Sequence, residues 1–357
     1  MTSRLDNTVH FVEIGGSGGV FQHTLRVAEL LVGREIDVVI HTAFDPEQDS
    51  PEGVRFCRCM SWFRTVRSRR LRQCALVIRY LCRTVPHLMR VASTVDVMHV
   101  QGASPLCSGA LLAVTLPANR VLYSPHNTFS RSGSVLEQRM LVAAARRADV
   151  VVAFSQRDVE RVRSWGANVR QAPLVQFAPK PDAQLVGRYR TRFRTGADCV
   201  VVGLFGQVRA DKGGDQFVRA VAAMPEGVGV VVGQDLGGLT EIRAMAEALG
   251  LTLHVVEGYL PLEEFASAMS AVDVLLTPYR RASQSGVLSL ARSLGVPTVS
   301  STAGGLAELA TTSVEEETPN AYVEAIRQVL HSPPVSSPVS DEYAVWAVYA
   351  QHAAQSL

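Results

Sequence analysis

The sequence predicts two α/β domains, each a parallel sheet covered by helices on both faces. Short apolar runs alternate with helical periods in two successive series along the chain, and such runs are typical of buried parallel strands. The length of 357 residues exceeds what one hydrophobic core usually covers. Two prolines and polar residues interrupt the pattern at Gln176–Ala183, the expected linker. We therefore predict two doubly wound, Rossmann-like domains over residues 1–178 and 184–338, facing each other across a cleft.

The elements follow from the apolar runs and helical periods in chain order. Strands of the first domain are predicted at His10–Ile14, Asp37–Thr42, Val95–Gln101, Val121–Ser124 and Val150–Phe154, with clear helices at Val20–Val32 and Leu136–Arg147. Strands of the second are predicted at Val200–Phe205, Val228–Val232, Leu251–Val256, Val274–Leu276 and Thr298–Ser300. Its helices are predicted at Gly214–Ala223, Leu239–Leu249, Leu262–Ser270, Val287–Leu294 and Asn320–Leu330. The segment 341–357 predicts a last helix that returns to the first domain.

Composition narrows the class of protein. An apolar content of 47% is sufficient for two cores, and no stretch approaches the roughly 20 apolar residues of a membrane span. The N-terminal residues lack the order of a secretory signal, so a cytoplasmic location is expected. The six cysteines are dispersed, and the spacing of Cys57 and Cys59 is not that of usual zinc ligands. We expect reduced thiols, mostly in the core, and no metal site.

A strongly basic segment lies between residues 53 and 95. It has no Asp or Glu and carries ten arginines, from Arg55 to Arg90. Interleaved apolar residues predict one or two helices with a basic outer face. Three roles stay open: a solvated face, docking on the anionic inner surface of a membrane, and attraction of an acidic or phosphorylated acceptor. Nucleic acid is not an expected partner, because no recognisable binding module accompanies the charge.

A glycine-rich loop, Gly15–Gly19, follows the first predicted strand and precedes a helix. An anion could bind to the backbone N–H groups of this loop, including those of Gly16 and Gly18, and to the positive end of that helix. A dinucleotide dehydrogenase is the obvious alternative. The pattern disfavours it, because Phe21 stands where a third glycine belongs and the second strand ends without the acidic residue that holds a ribose.

A second anion site is predicted from two segments of the second domain. An apolar run ends at Gly206 and is followed by Gln207 and the turn Arg209-x-x-Lys212-Gly213. Lysine occurs only twice in the chain, at Lys180 and Lys212; its ammonium approaches phosphate as a point charge, whereas arginine supplies a fork of donors. The second segment is Gln284-Ser285-Gly286-Val287, where Ser285 caps a helix with free N–H groups. Together they predict a site for a diphosphate.

The order of these segments resembles that of the GT-B glycosyltransferases of family four. The resemblance covers nearly the whole chain and rests on similar sequences in the same order: the early glycine loop, His99 in DVMHVQG, His126 in SPHN, Ser155 in AFSQRD, FGQVRADKGGDQFVRA, VDVLLTPYR, GVPTVSSTAGGLAEL and Trp346 in the last helix. The resemblance implies transfer of a hexose-type sugar from a UDP- or GDP-sugar to an acceptor hydroxyl, with retention of configuration. The nucleotide-sugar would be a co-substrate, and no cofactor or metal is expected, since no Asp-x-Asp pair follows a strand.

The resemblance also assigns residues. Lys212 and Arg209 would hold the donor diphosphate, and His126 would lie near the transferred sugar. Other donor contacts are expected from the residues Gly16, Gly18, Gly206, Gln207, Tyr259, Gln284, Ser285, Gly286, Val287 and Glu308. His99 is interpreted as a core histidine at the floor of the cleft.

Two departures from the family pattern keep other functions open. The two glutamates that the family spaces by seven residues fall at Ala282 and Leu290, as in a subgroup with Gln-Ser-Gly-Val-Leu, and the usual arginine before the loop lysine is Gln207. The ribose contact and the retaining outcome are therefore unassigned. The alternatives are a catalytically degenerate partner or scaffold that binds nucleotide-sugar, and a sugar-nucleotide epimerase.

Overall fold

The chain forms two compact units, each with its own parallel sheet. The computed structural model describes residues 8–60, 78–102, 112–113, 115, 117–130, 133–331, 345 and 348. One unit comprises Met1–Gln176 with Val339–Leu357, and the other comprises Phe177–Pro338. The division falls within the segment that the sequence indicates as the linker. The predicted class, two doubly wound Rossmann-like α/β domains, is confirmed by this architecture.

The first unit contains seven described strands in the order β3-β2-β1-β4-β5-β6-β7. Their pairs are parallel. The strands are β1 Thr8–Val12, β2 Asp37–Ala43, β3 Val54–Met60, β4 Val97–Gly102, β5 Arg120–Pro125, β6 Val150–Ala153 and β7 Val169–Gln171. The sequence did not indicate the two edge strands. In particular, β3 occupies the start of the segment that was predicted to be a basic helix; Arg55 and Arg58 are exposed on this edge strand, while Val54 and Met60 are buried.

Helices connect these strands in the usual α/β manner. They are α1 Gly18–Val32, a π-helical turn Tyr80–Thr84 that continues into α2 Val85–Ala92, α3 Val135–Arg147 and α4 Gln156–Ser164. Two begin at serine caps: the hydroxyl oxygens of Ser134 and Ser155 accept the amides of Glu137 and Asp158. The middle of the basic segment, from Arg64 to Arg72, lies outside the described residues, as does most of the predicted last helix with Trp346; Val345 and Val348 of that helix are helical and buried.

The second unit has six described strands in the order β10-β9-β8-β11-β12-β13, again paired in parallel. The strands are β8 Val200–Phe205, β9 Gly227–Gly233, β10 Leu253–Glu257, β11 Val274–Thr277, β12 Thr298–Ser301 and β13 Thr312–Val314. The helices are α5 Ala183–Phe193, α6 Gly214–Ala222, α7 Leu239–Ala248, α8 Leu262–Met269, α9 Gly286–Ser293, α10 Leu306–Leu309 and α11 Pro319–Leu330. A 3₁₀ turn, Ala210–Lys212, precedes α6.

The strand order fixes where a ligand site is expected in each sheet. In the second unit the chain winds from β8 outward to β10, then returns to β11 on the other side of β8. In the first unit the same reversal separates β1 from β4. Ligands of open α/β sheets bind beyond the carboxyl ends of the strands at such a reversal. Among the described helices, none is long and apolar enough to cross a membrane.

Candidate functional site

The turn that follows β8 packs directly on the segment that follows β11. Gly213 has φ of 66°, and a Cβ at this position would lie 1.9 Å from the carbonyl oxygen of Pro278. The amide of Arg280 donates to the carbonyl of Asp211 at 3.0 Å. Only glycine permits this left-handed backbone and this close approach together. The two segments that the sequence predicts as one anion site are therefore neighbours in the folded unit.

Lys212 is positioned by an aromatic ring at the centre of this site. Its Nζ lies 3.7 Å from the ring centroid of Tyr279, a cation–π distance. The Tyr279 side chain is fully buried, and its backbone carbonyl accepts a hydrogen bond from Ser301 Oγ at 2.6 Å. Burial raises the pKa of Tyr279 to about 12, so the ring stays neutral near pH 7. A rigid, buried ring thus limits where the ammonium group can move.

The amino end of α9 lies beside the end of β8. Ser285 caps this helix by accepting the amide of Leu288 at 3.3 Å, and the amides of Gly286 and Val287 belong to the first turn, where no intrahelical carbonyl is available. A Cβ on Gly206 would lie 3.1 Å from the side chain of Val287. The amide-rich helix end and the turn of Lys212 therefore meet at the reversal between β8 and β11.

Gln284 adds a polar group that the described residues leave without a partner. Both its amide oxygen and its amide nitrogen are buried, and neither has a hydrogen-bond partner in the described part of the chain. Buried polar atoms are rarely left unpaired in folded proteins. A ligand with hydroxyl groups beside α9 would supply the missing partners.

Arg209 is engaged within its own turn. Its Nε and one terminal nitrogen donate to the two carboxylate oxygens of Asp211, each at 3.0 Å, and the other terminal nitrogen donates to Gln207 Oε1 at 3.1 Å. Asp211 is thus a partner of Arg209 that the sequence pattern does not indicate. Its carboxylate occupies donors of Arg209 that were predicted to face phosphate, and the diphosphate contact of Arg209 stays a prediction. Gln207 accepts a hydrogen bond from Arg209, and its predicted contact with the donor stays a prediction.

Two further predicted donor contacts, Glu308 and Tyr259, come from other segments of the second unit. Glu308 is exposed on the short helix α10. The turn before that helix packs on the loop before α9, because a Cβ on Gly304 would lie 2.0 Å from the carbonyl oxygen of Ala282. Tyr259 follows β10, two strands away from β8, and its side chain is 60% exposed. Their roles stay predictions.

The glycine loop of the first unit is built around a buried carboxylate that the sequence reasoning missed. Glu13 accepts the amides of Gly15 and Gly16, each at 2.8 Å, and the hydroxyl of Thr42 at 3.1 Å. The amide of Gly18 donates to Glu47 at 3.0 Å. The amides offered to an anion by Gly16 and Gly18 are thus already paired with protein carboxylates. This corrects the expectation of an open anion site; donor contact by these glycines stays a prediction that requires Glu13 and Glu47 to be displaced.

His126 lies among other buried aromatic rings of the first unit. Its Nε2 donates to Gln101 Oε1 at 2.8 Å, and its ring centroid is 5.3 Å from that of His23. Burial lowers the pKa of His126 well below the usual range, with His23 and His99 contributing. His126 is therefore neutral at pH 7, and its Nδ1 is left as a proton acceptor. Gln101 is fully buried and its amide nitrogen has no partner among the described residues.

The buried histidines His23 and His99 each have a hydrogen-bond partner within the protein. His99 Nε2 lies 2.7 Å from Ser124 Oγ, and His23 Nδ1 lies 2.8 Å from the carbonyl oxygen of Val175. Burial lowers the pKa of His99 to about 3 and that of His23 to about 4. His99 is thus a satisfied core histidine, in line with its interpretation from the sequence.

The expectation for the cysteines needs a correction. Cys57 and Cys59 are half-buried rather than core residues, and the structure brings them together with His41 and His87. Their short spacing gave no such signal, because the two histidines come from different elements. This cluster lies on the first unit, whereas Lys212 and the amino end of α9 lie on the second.

The comparisons with known proteins agree with this architecture. Residues 17–175 match the family model "Glycosyltransferase Family 4", and residues 199–332 match "Glycosyl transferases group 1". The chain is 29% identical over 202 residues to D-inositol 3-phosphate glycosyltransferase of Xylanimonas cellulosilytica, covering 51% of this chain and 47% of the relative. It is 30% identical over 213 residues to 2-deoxystreptamine glucosyltransferase of Streptomyces kanamyceticus, covering 56% of this chain and 55% of the relative. The alignments thus span about half the length of these curated relatives.

A solved structure with the same fold contains a nucleotide. Anabaena Alr3699/HepE, in complex with UDP and glucose, superposes with a TM-score of 0.66 at 17% identity, covering 96% of this chain and 95% of that chain. Identity at this level shows the fold alone. The two family models, both of glycosyltransferases, together match most of the chain, one on each α/β unit.

Proposed function

We propose that the protein transfers a sugar from a UDP- or GDP-linked sugar to an acceptor hydroxyl. The observation that carries the proposal is that the turn after β8, which holds Lys212 over the Tyr279 ring, also approaches Val287 at the amino end of α9 through Gly206, at the reversal of the second sheet. A cation and a row of backbone amides together suit a diphosphate. Alr3699/HepE, which shares the fold, is described in complex with UDP and glucose.

The chemical step follows from where charge develops. As the bond between sugar and diphosphate breaks, negative charge grows on the departing phosphate. Lys212 and the amides of Gly286 and Val287 would stabilise that charge without rearrangement, because the Tyr279 ring and the Ser285 cap already hold them in place. An exposed helix end contributes only about 0.3–1 kcal/mol toward an anion, so the lysine supplies the larger share. We expect no requirement for a divalent cation, since the positive charge of Lys212 would stabilise the departing diphosphate in its place.

The side-chain amide of Gln284, which lacks a partner among the described residues, is proposed to bind the transferred sugar. It would hydrogen-bond hydroxyls of the transferred sugar while the diphosphate occupies the helix end. His126, neutral and with Nδ1 as an acceptor, is proposed to contact the sugar or the acceptor. Retention of anomeric configuration is the expected outcome, with a leaving phosphate oxygen accepting the acceptor proton. The anomeric proton coupling in the NMR spectrum of the product distinguishes retention from inversion.

The chain offers a matched pair of lysines for the test. Lys180 is exposed in the segment before α5, outside the predicted site residues, and is the other lysine of the sequence. A thermal-shift screen with UDP, GDP, ADP and their sugars identifies the donor. With that donor, Lys212→Ala should lose at least about 10²-fold in turnover, by analogy with removing one donor to a developing oxyanion, and Lys180→Ala should match the wild type. Equal activity of the two variants would remove Lys212 from the mechanism.

Assays of the purified protein can also identify the acceptor and distinguish a transferase from a scaffold or an epimerase. The two relatives are named for D-inositol 3-phosphate and 2-deoxystreptamine, both ring polyols or amino polyols, and we propose this class as the first acceptors to assay. A scaffold would bind nucleotide without turnover, whereas an epimerase would change the donor sugar without any acceptor. We place the reaction in the cytoplasm, where the free thiols of the chain would stay reduced. Peripheral membrane attachment through the arginines between Arg55 and Arg90 is tested by sedimentation with anionic vesicles.

A further inference from the structure

Four soft or borderline metal-binding side chains converge on one side of the first sheet. His41 on β2, Cys57 and Cys59 on the edge strand β3 and His87 on α2 each direct one ligand atom to a common point, and all four atoms lie within 4.8 Å of one another. His41 is buried, and the other three are half-buried. The residues come from three elements, so the fold, not local spacing, assembles the group.

The backbone explains how the two cysteines reach the same point. Cys57 is the register partner of His41 across the β2–β3 pair, so their side chains point to the same face of the sheet. The register then shifts: Arg58 pairs with Thr42 and Met60 with Ala43, which leaves Cys59 without a partner. Such a bulge re-aims a side chain. The hydroxyl of Thr84 donates to the carbonyl of Cys59 at 3.1 Å and fixes the bulge against the helical segment.

Three of the six separations between the four ligand atoms are close to the edges of a tetrahedron around one ion, and the other three are at most 4.8 Å. With Zn–N of about 2.05 Å and Zn–S of about 2.3 Å, tetrahedral edges are about 3.3 Å for N–N and about 3.6 Å for N–S. The observed separations are 3.2 Å between His87 Nε2 and His41 Nδ1, 3.3 Å between Cys57 Sγ and His87 Nε2, and 3.8 Å between Cys59 Sγ and His41 Nδ1. Each observed edge is within about 0.3 Å of the tetrahedral value.

A further histidine supports the correct tautomer of one ligand. Nε2 of His41 lies 2.9 Å from Nδ1 of His10, and the two rings are stacked with centroids 5.2 Å apart. When His41 Nε2–H donates to His10, Nδ1 of His41 is unprotonated and faces the cluster. Metal-ligating histidines in proteins almost always donate their other ring N–H to a partner in this way.

We propose that His41, Cys57, Cys59 and His87 bind one zinc ion in a tetrahedral, structural site. Two thiolates and two imidazoles are a ligand set that suits zinc, and four protein ligands leave no open position for catalysis. The ion would tie the edge strand β3 to β2 and to α2. This site stands independently of the glycosyltransfer proposed above, because its residues lie on the first unit and the phosphate site lies on the second.

The experiment uses the full chain and a paired set of cysteine variants. The protein is stripped with a chelator under reducing conditions, dialysed and titrated with Zn²⁺ against a colorimetric competitor, and Co²⁺ then serves as the spectroscopic probe. The wild type should bind one equivalent of zinc, and its cobalt form should show the intense visible bands of a tetrahedral site and a thiolate charge-transfer band. Zinc should also raise the Tm.

Matched variants distinguish the cluster from other thiols. Cys57→Ser/Cys59→Ser should lose the equivalent of zinc and both cobalt signatures, whereas Cys82→Ser/Cys199→Ser, which removes two thiols outside the cluster, should keep them. If the first double variant fails to fold, His87→Gln, at a half-buried position, provides the same readout and should lose zinc affinity by at least about 10-fold. Stoichiometric zinc in Cys57→Ser/Cys59→Ser, no zinc binding by the reduced wild type, or a Cys57–Cys59 disulfide in place of metal would overturn the proposal.

Discussion

The substitution Gly213→Ala tests whether the turn of Lys212 must press against the segment after β11. At this position φ is 66° and a Cβ would lie 1.9 Å from the carbonyl oxygen of Pro278, with the carbonyl carbon at 2.9 Å. Backbone atoms form the obstacle, so no side chain can rotate away. Ordinary contact begins at about 3.4 Å, which means that the turn or Pro278 must move by about 1.5 Å.

The expected effect of Gly213→Ala has two separate contributions, one to stability and one to activity. Left-handed backbone costs an alanine roughly 1–2 kcal/mol, and this term is shared with any other glycine of the same φ. The displacement is specific to Gly213, and it moves Lys212, the preceding residue, away from the amino end of α9. A misplacement of about 1 Å can lower turnover about 10²-fold. We therefore expect at least a 10²-fold loss of activity, or a comparable loss of UDP or GDP affinity, beyond the loss of stability.

Gly250 provides the matched control. It has φ of 65°, and a Cβ there meets nothing within 4 Å, so Gly250→Ala carries the strain without the collision. Nucleotide affinity is measured by calorimetry and unfolding by urea for both variants. Gly250→Ala should lose about 1–2 kcal/mol of unfolding free energy and keep wild-type affinity. Wild-type nucleotide affinity in folded Gly213→Ala would refute the reasoning, since the turn would then tolerate displacement.

Three further predictions concern single groups. Glu13→Ala removes the acceptor of two amides and a hydroxyl and should lower the free energy of unfolding in urea by at least about 2 kcal/mol. An unchanged free energy of unfolding would mean that water replaces the carboxylate as acceptor in the glycine loop. Ser285→Ala should cost about 1 kcal/mol as a lost helix cap, with nucleotide affinity falling in parallel; unchanged values for both would contradict the role of the helix end. Lowering the pH from 7 to 5 should destabilise the first unit by about 2 kcal/mol for each of His23 and His99. Their folded pKa values, about 4 and about 3, lie below the ordinary 6.5, so the unfolded chain binds protons first; unfolding free energies that stay constant over this range would contradict it.

Much of the fold was predictable because apolar runs report buried parallel strands directly. The predicted strands of the second unit agree with the observed ones to within a few residues, for example Val200–Phe205 for β8. Edge strands carry a weaker signal, since one side of each is solvated. The strand β3 has exposed arginines at positions 55 and 58 and buries only its two end residues, Val54 and Met60, so it showed no strand pattern within a basic segment that favoured a helix.

The site was predictable only where chemistry is local in sequence. The turn with Lys212 and the cap at Ser285 are short motifs, and the fold brings them together at the sheet reversal. The pairing of Arg209 with Asp211 depends on side-chain rotamers that no spacing encodes. The proposed zinc-ligand cluster depends on register across strands and on the helix α2, which begins 26 residues after Cys59 at Val85, and so it was invisible before the fold was known.

The most direct test of the phosphate site is a crystal structure of the full chain with the nucleoside diphosphate that binds most tightly. The diphosphate oxygens should lie within hydrogen-bond distance of Lys212 Nζ and of the amides of Gly286 and Val287, with Gln284 facing the sugar position. A diphosphate bound at the glycine loop instead, with Glu13 displaced and Lys212 still over Tyr279 without contact to phosphate, would contradict the proposed role of the second unit.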